Sequence, residues 1–379
     1  MRTIFPLILL LFLISCKQEK QHSPKTSGQL QADTLHIEYA KGFSVFKYDN
    51  YKILEVKNPF PKSENTYTYL LAKRGTEIPK DVSYDEKIYI PVEKIAVTST
   101  THIPALENLN VENTLVGFPH PDYISSPKTR TRINENKVTD LGQNEQINME
   151  VLLSLQPDVL VGFAMKENDK AYANISASGI PVIFNGDWNE ENPMGKAEWI
   201  KFFGALYDKD EKAEEFFEKI KQNYQEAQKL TAQLEEKPKI LAGSMYRDVW
   251  YLPGGKSWMA KFIEDAGGDY IFKENNHTGS FSLSFESVLN QAQHAQIWIA
   301  PDGFTSFDQL EKSSQHYTKF DAFKQKEIYG YAHVKGETGG VLYFELAPNR
   351  PDIILMDLIK IFHPELLPER ENVFFKSLE

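Results

Sequence analysis

The stretch Asn148 to Phe163, NMEVLLSLQPDVLVGF, narrows the choice of folds more than any other part of the chain. Met149, Leu152, Leu153 and Leu155 fall near helical spacing, with Glu150 free to point away from them. Pro157 stops the helix, because it has no N–H to donate and restricts the residue before it. Val159-Leu160-Val161 is then short, apolar and rich in β-branched residues, which suits a strand covered on both faces. A weaker copy runs from Ser284 to Pro301 (SFESVLNQAQHAQIWIAP), where Glu286 opens a short helix that leads into the strand Ile297-Trp298-Ile299. A unit used twice predicts two similar lobes.

The 379 residues suffice for two lobes of ordinary size. From Val92 onward, strands and helices alternate. Strands are expected at 94–97, 115–118, 159–161 and 180–184, with helices between them. The same order returns from Lys239-Ile240-Leu241-Ala242, through a helix 258–266 that ends at Gly267-Gly268, to a closing helix 352–362. This alternation predicts an α/β fold of two doubly wound lobes with mainly parallel sheets. Between the lobes, Met194–Leu206 reads as one helix. Asp208 then caps a long one with Ala213, Phe216, Phe217, Ile220, Tyr224, Ala227 and Leu230 on its apolar stripe. Such a helix can act as a rigid strut between lobes, or simply pack within one of them. Residues 34–92 are β-rich and read as a hairpin or meander placed before the main fold. The expected organisation is therefore an N-terminal β segment at 34–92, a first lobe at 93–207, a connecting helix at 208–236 and a second lobe at 237–379.

At the N-terminus, Arg2 precedes an apolar run that ends in Leu13-Ile14-Ser15-Cys16. The run is too short to span a bilayer and has the layout of a secretory signal. Residues 1–16 are thus read as a signal peptide ending in a lipobox, with Cys16 the lipidated residue, and 17–33 as a flexible polar tether. The other reading is an ordinary signal peptide with an incidental cysteine. Cys16 is the only cysteine, so an exported chain has no disulfide. The net charge of −11 argues against nucleic acid as a partner.

Taken together, Lys94-Ile95-Ala96-Val97, the stretch 148–162, YLPGGKSWMAKFIEDAGGDYIF at 251–272, SFESVL at 284–289 and RPDIILMDLIKIFHPEL at 350–366 resemble the substrate-binding proteins of ABC importers for metal chelates. That family serves ferric siderophores, haem and vitamin B12. The resemblance implies two α/β lobes joined by one long helix, a ligand in the cleft between them, and a monomer. It also implies that one Glu on each lobe docks on an Arg of the permease; the matching positions are Glu150 and Glu286. Bidentate carboxylate–Arg pairs suit such a role, although an acidic residue in a helix's first turn is favoured by the macrodipole alone. The chain departs from the family in its N-terminal β segment, in lacking Pro-Asp in the second Glu unit, and in the aromatic loop GETGGVLYFELAPN.

In a parallel sheet, ligands bind beyond the carboxyl ends of the strands. The residues falling there are His102, Phe118, Tyr123, Phe163, Met165 and Trp188 in the first half, and Tyr246, Arg247, Trp250 and Phe304 in the second. They are rich in aromatics and Met, which suits a large, partly apolar ligand. Arg130, Arg132 and Arg247 are the cations of these loops and could clamp anionic groups of a ferric chelate, or be solvated surface charges. His102 is the histidine kept as a candidate axial ligand or hydrogen bonder. With no His-rich loop or short His spacing, direct Zn or Mn capture is the lesser reading. Gly243-Ser244-Met245 lacks the second Gly of a nucleophile elbow, and no phosphate loop is present, so a hydrolase is disfavoured. The expected function is a membrane-anchored protein that binds an iron chelate, with no cofactor of its own, and hands it to an ABC permease. A corrinoid comes second and haem third; a surface lipoprotein with no transport role is the reading from another class.

Overall fold

The computed structural model describes residues 32–60, 63–144, 146–163 and 169–379. The expected signal peptide, Cys16, nearly all of the tether and Met165 lie outside the described residues.

The β-rich N-terminal segment forms a five-stranded sheet: β1 Asp33–Thr34, β2 Phe43–Lys47, β3 Tyr51–Lys57, β4 Thr66–Lys73 and β5 Glu86–Ile90, in that order. The first four strands make an antiparallel meander, and β5 joins parallel to β4. Alternation along the strands divides their side chains. Leu54, Val56 and Leu71 enter the main core, while Ile53 and Leu70 join Tyr51 in a small cluster on the opposite face. Two buried carboxylates fasten this sheet to the first lobe. Glu198 accepts the N–H groups of Glu38, Tyr39 and Ala40 at 2.7–2.9 Å. Glu190 accepts those of Lys41 and Gly42, each at 2.9 Å. Buried carboxylates are tolerated when hydrogen-bonded this fully, and Lys201 adds a charge partner to Glu198 at 3.0 Å.

The first lobe runs β6 Ile95–Val97, α1 His102–Asn108, β7 Leu115–Phe118, α2 Pro127–Asn134, β8 Thr139–Asp140, the small hairpin β9 Gly142–Gln143 and β10 Gln146–Ile147, α3 Met149–Leu155, β11 Val159–Gly162, α4 Lys170–Ala177 and β12 Val182–Phe184. Its sheet has the order β12-β11-β6-β7-β8, parallel throughout. The stretch that opened the analysis is α3, a tight turn and β11. Asn148 caps α3 by accepting the Val151 N–H at 3.2 Å. Val159 and Val161 face the main core, and Leu160 faces a second cluster with Leu152 and Ile175. Both faces of the strand are therefore covered, as its unbroken apolar run requires. Leu153, placed on the apolar face from sequence, is 44% exposed instead.

The single helix expected over Met194–Leu206 is two, α5 Pro193–Glu198 and α6 Ile200–Leu206. They meet at Trp199, whose indole donates to Glu190 at 3.0 Å. The long helix is α7 Asp210–Thr231, 22 residues, or about 33 Å at 1.5 Å per residue. Its buried stripe is Ala213, Phe217, Ile220, Tyr224, Ala227 and Thr231, while Leu230 is 40% exposed. Asp208 does not cap it. That residue has a left-handed backbone and pairs with Lys52 at 2.8 Å.

The second lobe contains β13 Lys239–Ala242, β14 Ser244–Tyr246, β15 Val249–Pro253, α8 Trp258–Asp265, β16 Asp269–Tyr270, β17 Ser280–Ser284, α9 Phe285–Ala292, β18 Ile297–Ile299, α10 Phe307–Ser313, α11 Asp321–Lys324, β19 Ile328–Gly330, α12 Leu342–Leu346, α13 Pro351–Phe362 and β20 Lys376–Ser377. Its main sheet, β16-β13-β18-β19-β20, is parallel except for β20. Strands β14, β15 and β17 form a separate antiparallel sheet. α7 packs against α6 of the first lobe and α13 of the second, so it does join the two doubly wound lobes.

Candidate ligand cleft

The loops at the carboxyl ends of the first sheet are held open by local hydrogen bonds. Thr98 Oγ1 accepts the Phe163 N–H at 2.8 Å and lies 3.0 Å from the Tyr172 hydroxyl, which donates to the Phe163 carbonyl at 2.8 Å. Phe163 meets Trp188 edge to face, with ring centroids 5.8 Å apart. After β7 the chain turns through His120, whose φ of 52° is stabilised by its N–H bond to Asp140 at 3.1 Å. The His120 ring stands 5.7 Å from Tyr123, which is 64% exposed.

Phe118, His120, Tyr123 and Phe163 wall a cavity of about 590 Å³, closed on the far side by Gly340, Val341, Phe344 and Glu345 of the second lobe. A second cavity of about 700 Å³ lies between Trp188 of the first lobe and an aromatic wall of the second, formed by Tyr246, Tyr251, Trp258, Tyr331 and Tyr343. Phe344 lines both cavities, so they adjoin in the cleft between the lobes. Its wall is preset by stacking: Tyr331 and Tyr343 lie 4.3 Å apart and nearly parallel. Gly243 is needed where β13 turns into β14. Its φ is 78°, and a Cβ there would meet the Tyr251 carbonyl at 2.0 Å.

A strap from the second lobe crosses to the first. Glu345 accepts the N–H groups of Ser125 at 2.6 Å and Ser126 at 2.9 Å. Thr338 donates to the Asp122 carbonyl, and Asn349 to that of Thr101 at 3.1 Å. Gly336 lies so close to Ser125 that a Cβ would come within 2.2 Å of its Oγ. Burial pushes the Glu345 carboxyl above the usual carboxylate range against the pull of these donors.

Of the residues placed here from sequence, Phe118, Tyr123 and Phe163 line the first cavity, and Trp188 and Tyr246 the second. His102 and Trp250 do not reach the cleft. His102 is 0% exposed against Phe203, neither ring nitrogen has a hydrogen-bond partner among the described residues, and burial lowers its pKa to about 4. Trp250 is likewise 0% exposed, packed with Trp298, Tyr317 and Phe320, its indole donating to the Ala242 carbonyl at 3.2 Å. Phe304 packs on Tyr317 and lines neither cavity. Arg247 sits at the β14–β15 tip over the Tyr246 ring. Arg130 is spent on the Pro121 and Ile124 carbonyls, and Arg132 on those of Asn113 and Leu115. None of the three cations lines the cleft.

Phe344, Tyr343, Tyr331 and Tyr251 were not anticipated. Tyr251 carried a signal in period two: Trp250 and Leu252 point inward, so Val249 and Tyr251 point out. Which parity faces a ligand cannot be read from one strand. Tyr331 directly follows β19, a strand end the sequence reading did not use, while Tyr343 and Phe344 belong to α12, in the stretch that sequence marked only as aromatic.

Glu150 and Glu286 are both exposed, and each occupies the second position of its helix. Ser284 caps α9 through the Ser287 N–H at 3.2 Å, as Asn148 caps α3. Each helix leads by a short link into the amino end of a parallel strand, β11 or β18, so its own start lies toward the strands' carboxyl ends, the cleft side. Among the described residues, no group of three or more His, Cys, Asp or Glu is placed to hold a metal ion, and no helix is long and apolar enough to cross a membrane.

The model of a family described as periplasmic binding protein matches residues 95–333. A protein of Methanocaldococcus jannaschii, described as an uncharacterized lipoprotein, is 25% identical over 95% of this chain and 91% of its own. Among solved structures, a possible iron-binding (periplasmic solute-binding) protein of Staphylococcus epidermidis superposes with a TM-score of 0.57 at 19% identity, over 72% of this chain and 98% of that one. A periplasmic vitamin B12 binding protein of Vibrio cholerae gives 0.51 at 12% identity, over 74% of this chain and all of that one.

Proposed function

The chain belongs to the periplasmic binding protein family, a family of binding proteins and not of enzymes, and on that premise we propose that it captures a metal chelate between its lobes and delivers it to an ABC permease. The observation that carries this reading is the cleft: two cavities of about 590 and 700 Å³ that share Phe344 and whose walls carry ten aromatic rings among polar and small residues. A site of that size, with aromatic faces on its walls, suits a chelate or macrocycle far better than a bare ion. An iron chelate is the first choice and a corrinoid the second, with haem third.

In this reading Glu150 and Glu286 meet Arg residues on the two permease subunits, and Cys16 holds the protein to a membrane by a lipid chain. Relatives described as lipoproteins support the anchor. A storage protein with no permease has no use for two carboxylates in matching helix positions. The protein binds ligand as a monomer, and α7 together with the strap keeps lobe closure small.

Titration with a panel of ferric chelates, cyanocobalamin, haemin and zinc, followed by tryptophan emission, tests the proposal. Trp188 and Trp258 line the cleft, so a coloured chelate bound there quenches them. Tight binding of free zinc alone would overturn the chelate reading.

A further inference from the structure

Residues 34–92 lie before the stretch matched by the family model, yet the sheet they form reaches the cleft through the loop after β12. That loop, residues 185–190, carries Trp188 into the wall of the second cavity. Trp188 in turn meets Phe163, which walls the first cavity. β12 is the edge strand of the first lobe's sheet, so its outward N–H groups and the loop that follows have no further strand beside them. The N-terminal sheet takes that place.

At the end of β12, the Phe184 N–H donates to the Tyr69 hydroxyl at 3.1 Å, and the Phe184 ring meets those of Phe60 at 4.8 Å and Tyr67 at 5.5 Å between centroids. Gly186 lies against the turn after β3, where a Cβ would stand 3.3 Å from the Pro59 Cα. Asn189 donates to the Asn58 carbonyl at 3.1 Å. Glu190 accepts the N–H groups of Lys41 and Gly42, each at 2.9 Å. The sheet therefore grips the loop on both sides of Trp188. From within the lobe, Lys196 adds a brace, donating to the Asp187 and Trp188 carbonyls at 3.1 Å.

We infer that the N-terminal sheet is a working part of the ligand site: it presets the loop 185–190 and so sets the place of the Trp188 ring against the bound chelate. This rests on the chelate reading above and makes Asn58, Pro59, Phe60 and Tyr69 positioning residues. A loop ordered in advance spares the entropy of ordering it on binding. Placement counts as well, because a gap of about 0.5–1 Å forfeits about a quarter to a half of a dispersion contact. A sheet that served only as a spacer between the anchor and the lobes would have no effect on affinity.

The test uses full-length protein labelled with fluorotryptophan, the Trp188 resonance being assigned with Trp188→Phe. The double variant Phe60→Leu/Tyr69→Phe removes a ring contact and a hydroxyl from residues that line neither cavity of the cleft. Tyr69→Phe alone, which loses only the hydroxyl, gives the same readouts should the pair not fold. Ile53→Ala, in the small cluster on the sheet's opposite face, is the control that lowers stability without touching the loop. The probe is the tightest binder to the unaltered protein among cyanocobalamin, haemin, a ferric trihydroxamate and a ferric tricatecholate. It should bind the double variant about fivefold more weakly, and the Trp188 resonance should shift or broaden in the ligand-free state, while Ile53→Ala changes neither. Unchanged affinity in the folded double variant, or an equal loss in Ile53→Ala, would overturn the inference and leave the chelate reading standing. Failure of every probe on the unaltered protein would remove the chelate reading, and the Trp188 resonance would then decide the positioning by itself: unmoved in the double variant, it overturns that as well.

Discussion

Glu345, carried by the second lobe, accepts the backbone N–H of Ser126 on the first at 2.9 Å, and the second oxygen of the same carboxylate takes the N–H of Ser125. One side chain thus ties the two lobes, alongside α7 and the bonds from Thr338 and Asn349, and it does so in the wall of the cleft. Glu345→Ala leaves both N–H groups without their acceptor and should cost about 2–3 kcal/mol of stability. Glu345→Gln keeps one acceptor oxygen and should cost less. Chemical denaturation of the three proteins checks the order.

The strap and α7 together predict little closure on binding. Small-angle scattering of ligand-free and ligand-bound protein should give nearly superimposable profiles. A change fitting a large domain rotation contradicts the double tether.

β15 separates packing from binding within two residues. Tyr251→Ala should weaken chelate binding roughly tenfold, about 1–2 kcal/mol, because Tyr251 faces the cleft. Trp250→Phe should leave affinity unchanged and lower stability, because Trp250 is buried in the aromatic core. Parallel binding and unfolding measurements on the two variants check this.

This contrast also marks what sequence could and could not reveal. The repeated unit around Glu150 and Glu286 was legible because helix spacing, a stop at Pro157 and a β-branched run are local signals. So was α7, whose 22-residue amphipathic stripe is continuous. The break at Trp199 was hidden, because it depends on Glu190 and on packing from the N-terminal sheet. The fastening of residues 38–42 by Glu190 and Glu198 joins positions some 150 residues apart, and no local pattern announces it. His102 was misplaced for a related reason: a polar residue after a strand end points to a site unless the helix it starts turns it inward, as α1 does. The strap residues around Phe344 lay outside any strand, so the strand-end rule passed over them.

His102 yields a prediction in pH. Burial lowers its pKa from 6.5 to about 4, so the unfolded chain takes up a proton that the folded chain refuses. Its contribution to stability is therefore present above pH 6.5 and is lost as pH falls through about 4, up to about 3 kcal/mol in all. His102→Phe should flatten the stability profile in that window, provided the ring is accommodated beside Phe203. Denaturant midpoints measured across it test the sign.

Charge reversal at both proposed docking positions, Glu150→Lys with Glu286→Lys, should abolish uptake and leave chelate affinity intact, since both side chains are exposed on helix starts and line neither cavity. Uptake assays paired with binding curves check it; normal uptake in the double variant would remove the docking role.

The most direct test of the cleft as the chelate site is a crystal of the protein saturated with a metal chelate that binds it in solution, with diffraction data collected at the metal's absorption edge. The account predicts an anomalous peak in the space bounded by Phe344, Trp188 and Tyr251. A peak outside that space, with the cleft empty in a saturated crystal, would contradict it.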